Sequence, residues 1–220
     1  MARKHEVFLD LTDEETNYWL GFIATDGWIE THKGTPCGVG IKLNSKDSLH
    51  LQRFKEYMNT KANVRMKQEK VSEMAVIVIG GKNSFVPRLI RLGITPRKSK
   101  TLKVHPTLAN SKHFWRGALD GDGCIKHRIN RAGHNSFTTI LTSASEHFSN
   151  QFFEYCDSVF PKTPSKYVNK DGVYRIGYQC SFSRIMVDHF YRDAGIYLPR
   201  KRKDYLKIME VKVGKNAIYK

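Results

Sequence analysis

The stretch Trp19-Leu20-Gly21-Phe22-Ile23-Ala24-Thr25-Asp26-Gly27 returns 96 residues later as Trp115-Arg116-Gly117-Ala118-Leu119-Asp120-Gly121-Asp122-Gly123. Each copy reads as a helix with a small residue four places after its first glycine: Gly21 and Thr25, Gly117 and Gly121. Residues four apart share a helix face, so these small pairs let a second backbone come close. Each copy ends in Asp-Gly, and a glycine there is the usual helix stop. Asp26 and Asp122 therefore face the negative end of a helix dipole, a position that disfavours a carboxylate by about 0.3–1 kcal/mol. A divalent cation would compensate.

Outward from the first copy, Thr12 with Glu15 three places on has the spacing of a capping box, which starts the helix there. After Gly27, residues 28–32 and 39–43 read as a hairpin around the turn-rich Lys33-Gly34-Thr35-Pro36. Ser45-Lys46-Asp47 introduces an amphipathic helix carrying Leu49, Phe54 and Met58. Strand-like runs at residues 63–67 and 75–79 follow, then a helix over residues 84–92 with Pro87 in its first turn, ending at Gly93.

The same order follows the second copy, with strands at residues 124–128 and 137–142 and a helix from Ser145 to about Phe160. Strands at 165–168 and 174–178 come next, then a helix from Ser183 to Ala194-Gly195. Gln52 and Phe54 match Gln151 and Phe153 at a separation of 99 residues. Gly93-Ile94-Thr95-Pro96-Arg97-Lys98-Ser99-Lys100 matches Gly195-Ile196-Tyr197-Leu198-Pro199-Arg200-Lys201-Arg202-Lys203 with one inserted residue. The chain is a tandem duplication of a helix, strand, strand, helix, strand, strand, helix unit, with halves at 1–105 and 106–220.

The 220 residues carry 37 Lys plus Arg against 21 Asp plus Glu, a net +16 that favours a polyanionic partner. Hydrophobic residues make up 40% of the chain, enough for a packed core. No stretch approaches the roughly 20 apolar residues of a membrane-spanning helix. The first six residues lack the apolar core of a secretory signal, so an intracellular protein without a membrane partner is expected. Cys37, Cys124, Cys156 and Cys180 form no Cys-x-x-Cys pair. Reduced thiols are expected rather than zinc. The histidines show no convincing ligand spacing, which disfavours a His-Asn-His nuclease at His134-Asn135. Trp19 and Trp115, 96 residues apart, read as packing residues near the motif interface.

The paired motifs resemble those of the LAGLIDADG homing endonucleases in their single-chain, two-motif form, and the resemblance covers nearly the whole chain. It implies an α+β fold of two pseudo-twofold αββαββα halves, with motif helices paired at the interface. Two saddle-like antiparallel sheets would lie in the DNA major groove. The physical reading agrees in giving Gly21 and Gly117 to the helix interface.

By the same resemblance, Asp26 and Asp122 are the catalytic, metal-binding acids, with the backbone carbonyls of Thr25 and Gly121 as further ligands. Oxygen ligands of this kind suit Mg²⁺, with Mn²⁺ or Ca²⁺ able to occupy the same site. Asp120 matches the motif's other acid, but its counterpart is Ala24, so Asp120 reads as capping or structural. Lys98 and Lys201 stand opposite each other in the repeat and are implied to reach the active site, where a cation can stabilise phosphorane charge. Many members of the family carry a glutamine near the end of the second strand. Here the corresponding residues are Asn44 and Ser143, which leaves the water-positioning groups open.

Residues two apart on a strand share a face. Lys42, Arg65, Lys67, Lys126, Arg128 and Arg175 are therefore candidates for DNA contact from the sheets, since Lys and Arg pair with guanine edges. Arg97, Lys100, Arg200 and Lys203 are candidates for backbone phosphate. The resemblance implies a monomeric, Mg²⁺-dependent endonuclease that cuts both strands of a long double-stranded DNA target, serving the homing of an intron or a free-standing gene. An intein is not expected, because the sequence begins at Met1 and residues 217–220 lack a terminal His-Asn. The alternatives are a maturase that binds intron RNA and a non-catalytic DNA-binding regulator. Both are disfavoured by two uncompensated acids at a junction meant to face phosphates.

Overall fold

The structure, a computed structural model, describes residues 7–129 and 133–211. The termini considered above, residues 1–6 and 217–220, lie outside the described residues. The chain opens with α1 (Glu14–Thr25), β1 (Gly27–His32), β2 (Thr35–Asn44), a 3₁₀ turn (Ser45–Asp47) and α2 (Ser48–Tyr57). It continues through β3 (Arg65–Gln68), β4 (Glu73–Gly80), α3 (Val86–Arg91), a second 3₁₀ turn (Lys98–Lys100) and α4 (Pro106–Ala109). The order then recurs as α5 (Lys112–Asp122), β5 (Gly123–Ile129), β6 (Asn135–Ser143), α6 (Glu146–Val159), β7 (Ser165–Val168), β8 (Tyr174–Gln179) and α7 (Cys180–Tyr191), closed by α8 (Pro199–Glu210).

The strands form two four-stranded antiparallel sheets of identical topology, β1-β2-β4-β3 and β5-β6-β8-β7. This is an α+β fold with a pseudo-twofold repeat. Alternation dictates which side of each sheet is covered. Val39, Ile41 and Leu43 of β2 and Ala75, Ile77 and Ile79 of β4 are buried on one side, as are Phe137 and Leu141 of β6. Each Val, Leu, Ile or Phe among them contributes about 1.5–3 kcal/mol by leaving water. Thr139 lies among them with its hydroxyl bonded to Ser183 Oγ at 2.7 Å.

The two halves share one core, and α1 and α5 run through its middle. A Cβ on Gly21 would stand 1.9 Å from the carbonyl oxygen of Phe114, and a Cβ on Gly117 would stand 2.0 Å from that of Tyr18. The helices thus meet backbone to backbone, reciprocally, at positions where any side chain would collide. A Cβ on Gly121 would stand 2.2 Å from Thr25 Oγ1, which extends the close approach to the ends of both helices. Trp19 packs on Phe54 at 4.9 Å between ring centroids and Trp115 on Phe152 at the same distance, so the two tryptophans are equivalent buried anchors and the counterpart of Phe54 is Phe152, not Phe153.

Several details differ from the sequence reading. The cap of α1 is Asp13, which accepts the Thr16 amide at 2.6 Å, while Thr12 Oγ1 donates to Asp10 at 2.6 Å. A carboxylate one residue further in meets the first-turn amides better than the threonine does. On α2 the covered face carries His50, Leu51 and Phe54 and leaves Leu49 exposed, because Leu49 stands five residues before Phe54, about 140° round the helix from it. The β1–β2 turn is only Lys33-Gly34, both at positive φ, so Thr35 and Pro36 belong to β2. Gly27 and Gly123 do not end their helices in a left-handed conformation. They open strands where a Cβ would stand 2.8 Å from Ile23 O or 2.3 Å from Leu119 O. The basic run after Leu198 is itself a helix, α8, anchored by buried Tyr205 and Ile208.

Candidate active site at the ends of the paired helices

Asp26 is the C-cap of α1 and Asp122 is the last residue of α5. The glycine-lined helix contact sets their proximity, since a Cβ on Gly121 would lie 3.4 Å from the Asp26 carboxyl carbon. Burial pushes Asp26 up to about 7, and the neighbouring Asp122 adds to the shift. Asp122 stands open to solvent on one side, yet the density of protein around it also raises its pKa. Two carboxyls that resist ionising together are a site short of positive charge.

Lys98 and Lys201 lie beside this pair. Both are buried, Lys98 in the second 3₁₀ turn and Lys201 in the first turn of α8. Lys98 Nζ donates to the Gly27 carbonyl and Lys201 Nζ to the Gly123 carbonyl, each the residue directly after one aspartate. Arg97, at φ 55°, turns the chain so that Lys98 points inward. Burial pushes Lys98 down to about 8, opposed by Asp122 and Asp26. Lys201 is lowered by burial and by adjacent Arg200. Both lysines in turn favour ionisation of both aspartates.

The carboxyls and the backbone oxygens at two helix ends are hard oxygen donors, and their mutual destabilisation is what a bound cation would relieve. Among the described residues no group of three or more His, Cys, Asp or Glu side chains comes together. A cation here would therefore complete its shell from backbone carbonyls such as those of Thr25 and Gly121, from water or from substrate oxygens. That is the habit of Mg²⁺ rather than of zinc.

Asp120 is outside this cluster. It is fully buried and accepts Tyr18 Oη at 2.8 Å, Tyr191 Oη at 2.5 Å and the Leu198 amide at 2.6 Å. Burial still raises it to about 6. Because Tyr18 spends its proton on Asp120, His50 Nε2 is the donor in its 2.8 Å bond to the same phenol, and burial keeps His50 neutral by pushing it down to about 3. One turn earlier, buried Arg116 donates to Ile196 O at 2.9 Å and to Glu14 at 2.7 Å, and Glu14 accepts the Gly195 amide at 2.9 Å. The segment that launches α8 and carries Lys201 is thereby held by both motif helices.

The other sequence candidates are spread over the surface. Lys42, Arg65, Lys67, Lys126, Arg128 and Arg175 are exposed on the uncovered faces of the sheets. Lys42 and Arg65 both flank Val76 across β4, and Arg175 sits opposite Thr142. Lys42 is paired with Glu69 at 3.1 Å. Arg97, Lys100 and Lys203 are exposed near the two lysines in sequence, and Arg200 is tied to Asp47 at 2.8 Å. Asn44 accepts the Lys46 amide and Ser143 the Ser145 amide, both at 3.1 Å, so each caps the turn after its strand. Asp47 escaped the sequence reading because its partner is more than a hundred residues away.

No sequence model of a described family matches the chain, and none of the curated proteins is similar to it in sequence. Solved structures are similar in fold. The meganuclease I-SmaMI, bound to uncleaveable DNA, superposes with a TM-score of 0.59 at 12% identity over 87% of this chain and 89% of its own. The I-LtrWI LAGLIDADG homing endonuclease, bound to target DNA, gives 0.59 at 11% identity over 90% of each chain. I-DmoI, in complex with DNA and Mn, gives 0.54 at 12% identity over 85% of this chain and all of its own. The fold of this chain is thus that of the LAGLIDADG homing endonucleases.

Proposed function

We propose that the chain is a site-specific DNA endonuclease that hydrolyses one phosphodiester in each strand of a long duplex with the help of a divalent cation. The observation that carries this reading is the meeting of Asp26 and Asp122 at the ends of two helices locked together through Gly21 and Gly117, with Lys98 and Lys201 buried beside them. A pure binding protein gains nothing from two crowded carboxyls with raised pKa values. Asp26, Asp122 and the carbonyls of Thr25 and Gly121 would hold Mg²⁺, or Mn²⁺ or Ca²⁺ in its place. The ion supplies an activated water and neutralises charge at the attacked phosphate. I-DmoI was solved with DNA and Mn, which supports a divalent ion in this fold.

Lys98 and Lys201, fixed by the Gly27 and Gly123 carbonyls, present ammonium charge next to the reacting phosphates. The exposed cations of the two sheets and the basic segments at residues 97–100 and 200–203 supply duplex contact, in keeping with the net +16. Since one chain, with halves at 1–105 and 106–220, holds both acids and both lysines, it acts as a monomer. Homing of an intron or a free-standing gene is the biological role this chemistry serves, inside the cell.

The test is cleavage of a plasmid carrying the empty insertion site, with and without Mg²⁺, by the intact protein and by the Asp26→Asn and Asp122→Asn variants. Metal-dependent linearisation by the intact protein is expected, with both variants still binding but no longer making a double-strand break. Tight binding of intron RNA with no DNA cutting would favour the maturase reading instead. Unchanged cleavage by either variant would remove that aspartate from the site.

A further inference from the structure

The two sheets occupy equivalent places in the repeat, but their uncovered faces are not chemically equivalent. Across β1, β2 and β4 the registers align Trp28 with Gly40 and Val78, and Glu30 with Gly38 and Gly80. Across β5, β6 and β8 they align Cys124 with Ile140 and Gly177, and Lys126 with Thr138 and Gln179. Because β1 begins at Gly27 and β5 at Gly123, Trp28 corresponds to Cys124 and Glu30 to Lys126. The first row is apolar in both halves. The second row carries a cation, a hydroxyl and an amide in one half, but one acid and two bare glycines in the other.

Glu30 is itself tied to the sheet. Trp28 Nε1 donates to its carboxylate at 2.8 Å, and the Trp28 ring lies flat on the sheet over Gly40, where a Cβ would come within 2.2 Å of the ring. A carboxylate has no donor for the guanine and adenine acceptors, and the indole holds one of its two oxygens against the sheet. Gly38 and Gly80 offer only backbone. Lys126 and Gln179 are exposed, and their chemistry matches base edges: an ammonium suits the guanine acceptors, and a carboxamide pairs with the adenine N6 and N7.

We propose that the target is specified unequally at mirror-related positions: base pairs facing the Lys126–Thr138–Gln179 row are read by hydrogen bonds, whereas their counterparts facing the Glu30–Gly38–Gly80 row are accepted in any sequence. This rests on the DNA-endonuclease reading. It assigns Lys126 and Gln179 as specificity-determining residues, with Gly80 as the matching position from which such a residue is missing.

The test is a binding selection with the full-length protein in Ca²⁺ from duplexes randomised across both halves of the target. Strong base preference is expected at the positions facing the Lys126–Thr138–Gln179 row and none at their mirror positions facing the Glu30–Gly38–Gly80 row. Gln179→Gly should cut discrimination at one base pair by about tenfold or more. Gly80→Gln should create a preference at one mirror position, because a Cβ there meets nothing closer than Cys37 O at 4.0 Å and the side chain has room. Equal preference at mirror positions, or an unchanged profile in Gln179→Gly, would overturn the asymmetry while leaving the DNA reading in place. Enrichment of no sequence at all would overturn the DNA reading itself, and the asymmetry with it.

Discussion

The phenol of Tyr18 on α1 donates to the carboxylate of Asp120 on α5 at 2.8 Å, a fully buried bond from one half of the molecule to the other. The same carboxylate accepts Tyr191 and the Leu198 amide, and Leu198 is the residue from which α8 starts toward Lys201. Asp120→Leu leaves three buried donors without an acceptor, at about 1–3 kcal/mol each. A loss of several kcal/mol in chemical unfolding is expected. Asp120→Asn keeps one acceptor oxygen and should cost less than half as much. Because the bond to Leu198 aims the Lys201 turn, Asp120→Asn should also lower the single-turnover cleavage rate more than it lowers DNA affinity.

Gly21→Ala and Gly117→Ala each force a methyl group to within about 2 Å of a carbonyl oxygen on the facing helix. Neither backbone can yield without parting the helices. Each variant should lose about 3 kcal/mol or more, measured as a lower denaturant midpoint. In the protein that remains folded, cleavage should fall further than binding, since the spacing of Asp26 and Asp122 is set by this contact.

The raised pKa of Asp26 gives a signed pH dependence. Its folded value of about 7 lies above the ordinary carboxylate value, so the folded state holds the extra proton between the two. Stability of the metal-free protein should therefore fall as pH rises from about 4 through 7. Asp26→Asn, which cannot ionise, should be more stable than the parent at pH 8 by about 1–2 kcal/mol in thermal melts without metal. Binding of Mn²⁺ should tighten over the same rise in pH and release a proton below pH 7, seen as buffer-dependent heat in calorimetry.

Salt should separate phosphate contacts from base contacts. Lys203→Ala is expected to reduce the slope of log affinity against log salt by about one, with the preferred sequence unchanged. Lys126→Ala should alter the sequence preference itself. Binding isotherms at four or five salt concentrations, on target and on scrambled duplex, distinguish the two outcomes.

The order of elements is legible in the sequence because each is short, amphipathic and bounded by Gly, Pro or Ser, and because the second half repeats the first. What could not be read has physical causes. Leu49 looks apolar enough to be buried, but five residues before Phe54 it falls on the opposite side of α2. The run Arg200-Lys201-Arg202-Lys203 looks like a solvated basic tail, but buried Lys201, Tyr205 and Ile208 fix one face of the helix inward. Recurrence singles out Asp26 and Asp122 together with Lys98 and Lys201, since a duplicated position stands out in one chain. The partners of Asp120 and of Arg200 carry no such mark. Tyr18, Tyr191, Leu198 and Asp47 meet them only through the fold.

The grip of Glu14 on the amide of Gly195 joins the start of the first motif helix to a residue made 181 positions later. A nascent chain that has released its first half carries α1 with its glycine groove bare and Asp26 without Asp122. The acidic pair forms only when α5 docks, and the turn that delivers Lys201 is latched only after residue 195 has emerged. The cluster of aspartates and lysines is therefore complete only once Lys201 has been made, so a product truncated before that residue carries sheet strands without the assembled cluster.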